Sequence, residues 1–324
     1  MRYVTAVLIL VLVAGFSSTA AFAEPKEKSG SRVFEIGLIG DFPYNAVQEQ
    51  QAANLFRELD GEKLAFITHD GDIKSGSSAC TDDVYLKEFQ RFEASDNPLI
   101  YTPGDNEWTD CHRPPNFPED PAEADPLNRL SLVRETFFAD GYSLGEKEIP
   151  VQRQSVEYPE NARWIRGGVT FATLHVVGSN NNRPTAAAPT IGNEAEYQAR
   201  NAANLEWMAE TFDAANASGS PGVMLVIQAN PFEEDTATPS GFTEFKAALE
   251  AEVTAFDGPV VLVHGDSHTF RIDRPVISGT RPLNFTRVET FGSPDVHWVR
   301  ATVDPRDPEV FSFEPELVEE NIAP

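Results

Sequence analysis

Residues 260–268 read VVLVHGDSH, an apolar run that leads directly into a loop with two histidines and an aspartate. An apolar run that stops at glycine and polar residues is typical of a buried strand and of the loop at its end. Other apolar runs along the chain stop in the same way, at Gly-Asp pairs or at amide residues. These strand-end loops are the feature from which the fold is predicted.

Strands and helical segments alternate along the chain. The loops that follow strands are, in order, GDFPY, HDGD, PGDNE, QANP and HGDSH. This alternation predicts an α/β layered fold, in which ligands gather beyond the carboxyl ends of the strands. The predicted strands are 33–39, 64–68, 98–102, 222–227 and 260–263, with a hairpin at Gly167-Gly168 and further strands within 270–313, and the predicted helices are 46–59, 82–94, 130–138, 194–215 and 241–256.

The composition excludes some classes of protein and of partner. The 324 residues include 51 acidic and 25 basic side chains, for a formal charge of −26, and 41% are hydrophobic. That much apolar material predicts a folded chain with one large domain or two smaller ones. The negative charge argues against nucleic acid or an anionic membrane as partner. A small phosphate ester stays compatible, because bound cations can reverse the charge locally.

The first 23 residues have the form of a signal peptide. Arg2 precedes a mostly apolar stretch, and Ala21-Phe22-Ala23 has the A-x-A form of a cleavage site. We expect cleavage after about Ala23 and a secreted or periplasmic protein without stable membrane insertion, the alternative being an uncleaved N-terminal anchor. The expected segments are the signal peptide 1–23, a disordered tail 24–32, one domain 33–313 and a C-terminal tail 314–324. The sequence does not indicate an oligomeric state.

Export would place the two cysteines in oxidising surroundings. Cys80 and Cys111 each follow an acidic loop, within GDIKSGSSAC and GDNEWTDC. We expect a disulfide between them, which would hold the two loops together, and the alternative is a pair of free thiols. Two cysteines alone do not predict a zinc site.

The order of the strand-end loops resembles that of the calcineurin-like metallophosphoesterase superfamily, which includes purple acid phosphatases and cyclic-nucleotide phosphodiesterases. The family pattern is D-x-H, G-D, G-N-H-E or G-N-H-D, a strand-end His, and G-H-x-H. The resemblance runs from about Phe34 to His268. It implies a four-layer αββα sandwich with two mixed sheets, and two divalent metals that an aspartate bridges. Metal-activated water would then hydrolyse a phosphate mono- or diester.

The first two motifs carry over in part. Asp41 matches the first metal-binding aspartate, and Asp72 matches the bridging one. The family's histidine after the first aspartate is Pro43 here, which cannot coordinate through its side chain. Tyr44 stands next to it, and a phenolate ligand at this position is a hypothesis.

The third and fourth motifs depart further from the family. Asp105 stands at the metal-binding asparagine and keeps an oxygen ligand. Asn106 stands at the catalytic histidine; it can donate a hydrogen bond but cannot act as a general acid. The fourth motif offers Gln228, or Asn230 if the alignment shifts, in place of a histidine.

The last motif keeps one of its two histidines. Asp266 replaces the first histidine of G-H-x-H, and His268 matches the second. His264 precedes the glycine, and two interpretations stay open for it: a structural histidine at a strand end, or a residue that orients phosphate together with Asn106.

The resulting ligand set is rich in oxygen. One metal would be held by Asp41 and His268, the other by Asp105, Gln228 and Asp266, with Asp72 between them. Such a set favours Mn²⁺, Mg²⁺ or Ca²⁺ over Zn²⁺, and iron is compatible with it. Two functions remain: a secreted metal-dependent phosphoesterase with a small phosphate-ester substrate, or a non-catalytic binding protein that keeps a structural cation.

Overall fold

The structure is a computed structural model that describes residues 32–113, 121–233 and 236–322. The predicted signal peptide 1–23 and almost all of the predicted tail 24–32 lie outside the described residues. Within those ranges, every helix is too short or too polar to cross a membrane.

The elements follow the predicted alternation of strands and helices. The helices are α1 (Ala46–Gly61), α2 (Asp82–Glu93), α3 (Pro126–Phe137), α4 (Glu194–Ser218) and α5 (Thr243–Ala255). The strands are β1 (Phe34–Ile39), β2 (Ile67–His69), β3 (Leu99–Tyr101), β4 (Gln152–Arg153), β5 (Ala162–Arg166), β6 (Val169–Thr173), β7 (Val223–Val226), β8 (Val260–His264), β9 (Arg271–Asp273), β10 (Phe285–Glu289), β11 (Trp298–Val303) and β12 (Phe311–Glu316).

These strands form two mixed sheets. One has the order β12-β11-β1-β2-β3, and the other has the order β4-β5-β6-β7-β8-β10-β9. Strands β1, β2 and β3 are parallel to one another, as are β6, β7, β8 and β10. The carboxyl ends of each parallel set therefore lie at one edge of its sheet, which is where the acidic loops begin.

Three apolar layers show how the sheets and helices stack. Alternate residues of β1 and β8, such as Leu38 and Val263, lie in one buried cluster between the two sheets. Helices α1, α2 and α3 pack on the outer face of the first sheet, and α4 and α5 pack on that of the second. The order helix, sheet, sheet, helix is the predicted four-layer αββα sandwich.

Most differences from the predicted elements are small and have local causes. Helix α3 begins at Pro126, earlier than predicted, because the Asp125 side chain accepts hydrogen bonds from Leu127 N and Asn128 N and proline fits the first helical turn. The hairpin at Gly167-Gly168 is confirmed, with φ of 60° and 87°, the left-handed values that tight hairpin turns require.

The ordered chain extends past the predicted domain end at residue 313. Strand β12 continues to Glu316, and a 3-10 helix follows at Glu319–Asn321. Asn321 Nδ2 donates to Gln51 O at 3.0 Å and to Val296 O at 2.7 Å. These bonds attach the segment predicted as a tail to helix α1 and to the loop that precedes β11.

Candidate metal centre

The strand-end loops of both sheets meet at one place. Asp41 follows β1, Asp72 follows β2 and Asp105 follows β3, while Gln228 follows β7 and Asp266 and His268 follow β8. Ligand atoms of Asp41, Asp72 and His268 all lie within 4.8 Å of one another, and so do those of Asp72, Asp105 and Asp266. Asp72 is therefore common to two adjoining groups, each with the composition of a cation site.

The backbone at these residues is unusual. Asp41, Asp72, Asp266 and His268 have φ of 58°, 59°, 72° and 56°, in the left-handed region that few non-glycine residues adopt. Each such conformation costs on the order of 1–3 kcal/mol and persists only where the surroundings enforce it. Strain of this kind clusters at functional sites, and here it coincides with the candidate ligands.

Two glycines allow the loops to approach this closely. A Cβ atom on Gly104 would lie 2.0 Å from Asp72 Oδ1, and a Cβ atom on Gly265 would lie 1.8 Å from Asp41 Oδ2. Neither distance is compatible with a side chain. Gly104 thus makes room for the Asp72 carboxylate from the neighbouring strand β2, and Gly265 makes room for the Asp41 carboxylate from β1 in the facing sheet.

Tyr44 lies at the group formed by Asp41, Asp72 and His268. Its hydroxyl donates to Asp72 Oδ2 at 3.0 Å and is 3.2 Å from His268 Nε2. Burial, followed by the charge of Asp72, raises the pKa of Tyr44 well above its ordinary value, so the phenol is neutral without a cation. Its oxygen is placed where a cation between Asp72 and His268 could contact it.

Asn106 is hydrogen-bonded to the shared carboxylate. Its side-chain Nδ2 donates to Asp72 Oδ2 at 2.7 Å and to Tyr44 Oη at 3.1 Å, and its backbone N donates to Asp72 Oδ1 at 3.2 Å. Asn106 is thus in contact with the cluster, as the motif predicts. Its chemistry there is hydrogen-bond donation, since an amide does not titrate.

Gln228 is hydrogen-bonded both to Asp266 of the second group and to the backbone of Gly178. Its Nε2 donates to Asp266 Oδ1 at 2.8 Å, and its Oε1 accepts from Gly178 N at 2.7 Å. In this arrangement the amide oxygen, which is the ligand atom expected from the sequence, is engaged by the backbone. The alternative residue, Asn230, donates to Ser267 Oγ at 2.6 Å.

The segment after β6 is part of the site, although the sequence indicates only a polar loop. Ser179, Asn180, Asn181 and Asn182 have φ of 52° to 60°, one turn of left-handed helix. Ser179 Oγ contacts Asp105 Oδ2 and is 2.8 Å from Asp110 Oδ1. The signal in the sequence is the SNNN run, because asparagine tolerates left-handed backbone better than most residues.

Burial and mutual repulsion raise the pKa of the clustered carboxylates. Burial is the largest cause for Asp41, Asp72 and Asp105, and the next causes are Asp70, Asp105 and Asp110 respectively. A bound cation would remove this repulsion and favour the ionised forms. The donor set, four carboxylates with one imidazole and one phenol nearby, fits divalent cations that prefer oxygen ligands.

Three further buried charged groups surround the cluster. Asp70 Oδ2 accepts from Thr290 Oγ1 at 2.8 Å, and Glu107 Oε1 accepts from Tyr101 Oη at 2.7 Å. Lys74 is 2% exposed, and its Nζ donates to the carbonyl oxygens of Ser75 and Asn106, each at 2.8 Å. The HDGD, GDNE and GDIK loops contain these residues, but their types alone did not indicate a role.

His264 lies away from the cluster. Alternation along β8 directs its side chain to the helix-covered face, together with Val260 and Leu262 of the outer core. Its Nδ1 is 2.9 Å from Gly265 O, its ring centroid is 6.2 Å from that of Phe232, and burial lowers its pKa to about 3. These contacts correspond to the structural interpretation, and we assign no phosphate-orienting role to His264.

The expected disulfide is present. Cys80 and Cys111 are bonded, with Cα atoms 5.8 Å apart. The bond connects the loop after Asp72 to the 3-10 helix Thr109–His112 that follows Asp105. Closing a loop of this length contributes about 3–4 kcal/mol in the loop-entropy model, so the bond also stabilises the position of the two acidic loops.

Comparison with solved structures identifies similar folds. GAP50, the anchor in the inner membrane complex of Plasmodium, superposes with a TM-score of 0.50 at 11% identity, over 89% of each chain. Purple acid phosphatase PPD1 from yellow lupin (Lupinus luteus) seeds gives 0.48 at 12% identity, over 90% of this chain and 55% of that one. The 5'-nucleotidase from Candida albicans gives 0.46 at 12% identity, over 87% and 50%. This chain spans about half the length of the last two proteins.

Neither a protein-family model nor a curated protein sequence matches the chain. At these identities, structural likeness concerns the fold alone. The two facing mixed sheets, the helices on both outer faces and the acidic loops at one shared edge agree with that likeness. The chain therefore has the four-layer αββα sandwich with two mixed sheets, the fold expected from the resemblance of its strand-end loops to the calcineurin-like metallophosphoesterases.

Proposed function

We propose that this protein is a secreted metal-dependent phosphoesterase that hydrolyses a phosphate mono- or diester with metal-activated water. The observation that carries the proposal is the position of Asp72, which belongs to two adjoining groups of potential ligands. One shared carboxylate between two cation positions is the arrangement that two-metal phosphoryl transfer uses.

The residues around Asp72 divide into two sets. Asp41 and His268 would hold one cation, with Tyr44 beside it, and Asp105 and Asp266 would hold the other. Gln228 would complete the second position if its amide turned from Gly178 N, and otherwise it orients Asp266. Two divalent cations, with Mn²⁺, Mg²⁺ or Ca²⁺ favoured over Zn²⁺, would supply the nucleophilic water and neutralise the phosphoryl oxygens.

The chain's own groups would bind and orient the substrate. Asn106 Nδ2 lies next to Asp72 Oδ2 and could donate to a phosphoryl oxygen on the same side. A small phosphate ester would bind at the loop edge of the sandwich. The negative charge of the protein would repel nucleic acid. The disulfide supports secretion or a periplasmic location, because such bonds persist in oxidising compartments.

A specific observation also favours a second function, a non-catalytic binding protein that keeps a structural cation. Asn106 stands where the family pattern has its catalytic histidine, and its amide cannot protonate a leaving group. In that case the cations would only fix the loops, and the loop edge would serve as a binding surface.

The two functions differ in turnover. Purified mature protein would be incubated with phosphomonoesters and phosphodiesters, with Mn²⁺, Mg²⁺, Ca²⁺ or Zn²⁺ added in turn. We expect turnover with an oxygen-preferring metal and its loss in Asp72→Ala. Asp213→Ala is the matched control, because Asp213 is exposed on α4. If the wild-type protein is no more active than Asp72→Ala with any of the metals, the proposal that it is an enzyme is wrong. Tight binding of two Zn²⁺ ions to the isolated protein would contradict the oxygen-rich site.

A further inference from the structure

An exposed arginine lies at the edge of this acidic centre. Arg113 follows the 3-10 helix Thr109–His112, two positions after the disulfide-bonded Cys111. Its side chain is 47% exposed, whereas that of its ion-pair partner Asp110 is 2% exposed. The guanidinium thus faces solvent on one side and a buried carboxylate on the other.

The Ser179 hydroxyl connects Arg113 to Asp105, a candidate metal ligand. Its Nη2 donates to Ser179 Oγ at 2.8 Å, and the same Ser179 Oγ contacts Asp105 Oδ2. The positive charge of Arg113 also counteracts the rise in the pKa of Asp105 that burial causes. Arg113 is therefore electrostatically connected to the second group of carboxylates.

The position of Ser179 is enforced at a cost in backbone strain. Ser179 begins the left-handed turn, and the buried Arg200 clamps that turn by donating to Asn181 Oδ1 at 2.6 Å and to Asn181 O at 3.0 Å. Gly241 N donates to Asn180 Oδ1 at 2.8 Å from the other side. A strained turn that is fixed from two directions indicates a function for the group it presents. That group is the Ser179 hydroxyl between Arg113 and Asp105.

Lys74, another cationic side chain near the cluster, is not free to bind a phosphate from solvent. Lys74 is buried and donates to two backbone carbonyl oxygens. The Arg113 side chain is about half exposed, and a guanidinium forms paired hydrogen bonds with phosphoryl oxygens. A dianionic phosphate that approaches this negatively charged edge requires such a partner.

We propose that Arg113, positioned by Asp110 and Ser179, is a substrate-binding residue that contacts the phosphoryl oxygens of a dianionic phosphate, so that the site prefers phosphomonoesters to diesters. This inference rests on the proposed metal-dependent function. On binding, one or both guanidinium donors would turn from Ser179 and Asp110 to the phosphoryl group.

The test is a binding measurement that does not require turnover. Calorimetry would give the affinity of Mn²⁺-loaded protein for inorganic phosphate and for dimethyl phosphate, a monoanion. The variants are Arg113→Gln, Arg113→Lys and, as a matched control, Arg166→Gln. Arg166 is exposed at the end of β5 beside the hairpin, away from the carboxyl ends of the parallel strands.

We expect Arg113→Gln to weaken phosphate binding by about tenfold or more, as for a lost charge-assisted hydrogen bond, with a smaller effect on dimethyl phosphate. Arg113→Lys should recover part of the affinity, and Arg166→Gln should bind as the wild type does. Equal phosphate affinity in wild type and Arg113→Gln would overturn the role of Arg113 and leave the metal site standing. An equal loss for both ligands would overturn the preference for monoesters. Failure of Mn²⁺-loaded wild type to bind phosphate would overturn this inference and the proposed function together.

Discussion

At the scale of single residues, the site combines strong carboxylate clustering with weak acid–base chemistry. Asp72 is shared by both groups, and Asn106, which stands at the catalytic histidine of the family pattern, donates a hydrogen bond to it. The motif therefore predicts metal binding more directly than it predicts catalysis. Leaving groups of low pKa need little protonation, so the absence of this histidine would affect poor leaving groups most.

This reasoning gives a prediction for Asn106→His. The imidazole would replace an amide that already reaches Asp72 and Tyr44, so it would lie beside the substrate. We expect hydrolysis of alkyl phosphates to rise by about tenfold or more, while hydrolysis of aryl phosphates with good leaving groups changes little. Steady-state kinetics on both substrate types, with Asn106→Gln as a control that adds no titrating group, measures the effect. An equal rise for both types would contradict the proposed absence of a general acid.

At the scale of elements, the parallel strands bring the carboxylates together and the glycines make room for them. Asp72 and Asp105 come from adjacent parallel strands, so their loops leave the first sheet side by side. Asp266 comes from the second sheet, and its backbone N donates to Asp41 Oδ1 at 3.0 Å across the sandwich. The site therefore depends on close approach of backbone segments as much as on ligand identity.

Gly104→Ala tests this dependence. The new methyl group would lie 2.0 Å from Asp72 Oδ1, so the loop or the carboxylate must move. We expect a loss of about 1–3 kcal/mol in unfolding free energy and weaker Mn²⁺ binding. Chemical denaturation and metal titration measure the two effects. Gly61→Ala, at the end of α1 with open space around the added carbon, is the matched control and should lower neither the unfolding free energy nor the Mn²⁺ affinity. Wild-type metal affinity in Gly104→Ala would contradict the packing argument.

At the scale of the whole molecule, the formal charge is −26, and part of this negative charge is concentrated in the carboxylates of the site. Asp41, Asp72 and Asp105 are buried close together, and their pKa values are raised above those of the unfolded chain, mainly by burial. A folded state with raised carboxyl pKa values is most stable, relative to the unfolded chain, below the unfolded pKa of about 4. That stability is lost as the pH rises through the folded-state values.

The pH dependence of thermal stability should therefore depend on metal. In a chelator, we expect the melting temperature to fall as the pH rises from about 5 to 8. Mn²⁺ should counteract the fall, because a cation present at about 100 times its Kd adds about 2.7 kcal/mol. Calorimetric scans of wild type and Asp72→Asn, with and without Mn²⁺, measure this, and the variant should show the smaller metal effect. Parallel curves with and without metal would contradict a cation site at these carboxylates.

Much of the architecture and the main residues of the site could be predicted from the amino-acid sequence. Apolar runs that end in Gly-Asp loops specify buried parallel strands, and parallel strands necessarily place their loops at one edge. The strand pattern thus predicts a layered α/β fold with a site at the loop edge, and export predicts the disulfide between Cys80 and Cys111. The αββα sandwich and the grouping of Asp41, Asp72, Asp105, Asp266 and His268 were expected from the resemblance of the loops to the metallophosphoesterase pattern.

Which side chains face the cluster could be seen only in the folded chain. His264 and His268 stand in one short motif, yet alternation along β8 turns His264 toward the helices while the loop brings His268 beside Asp41 and Asp72. Ser179 reaches Asp105 through a left-handed turn, and Arg113 reaches Ser179 from another loop. Such contacts join residues far apart in the chain, and they depend on side-chain direction and backbone strain, which residue order alone does not specify.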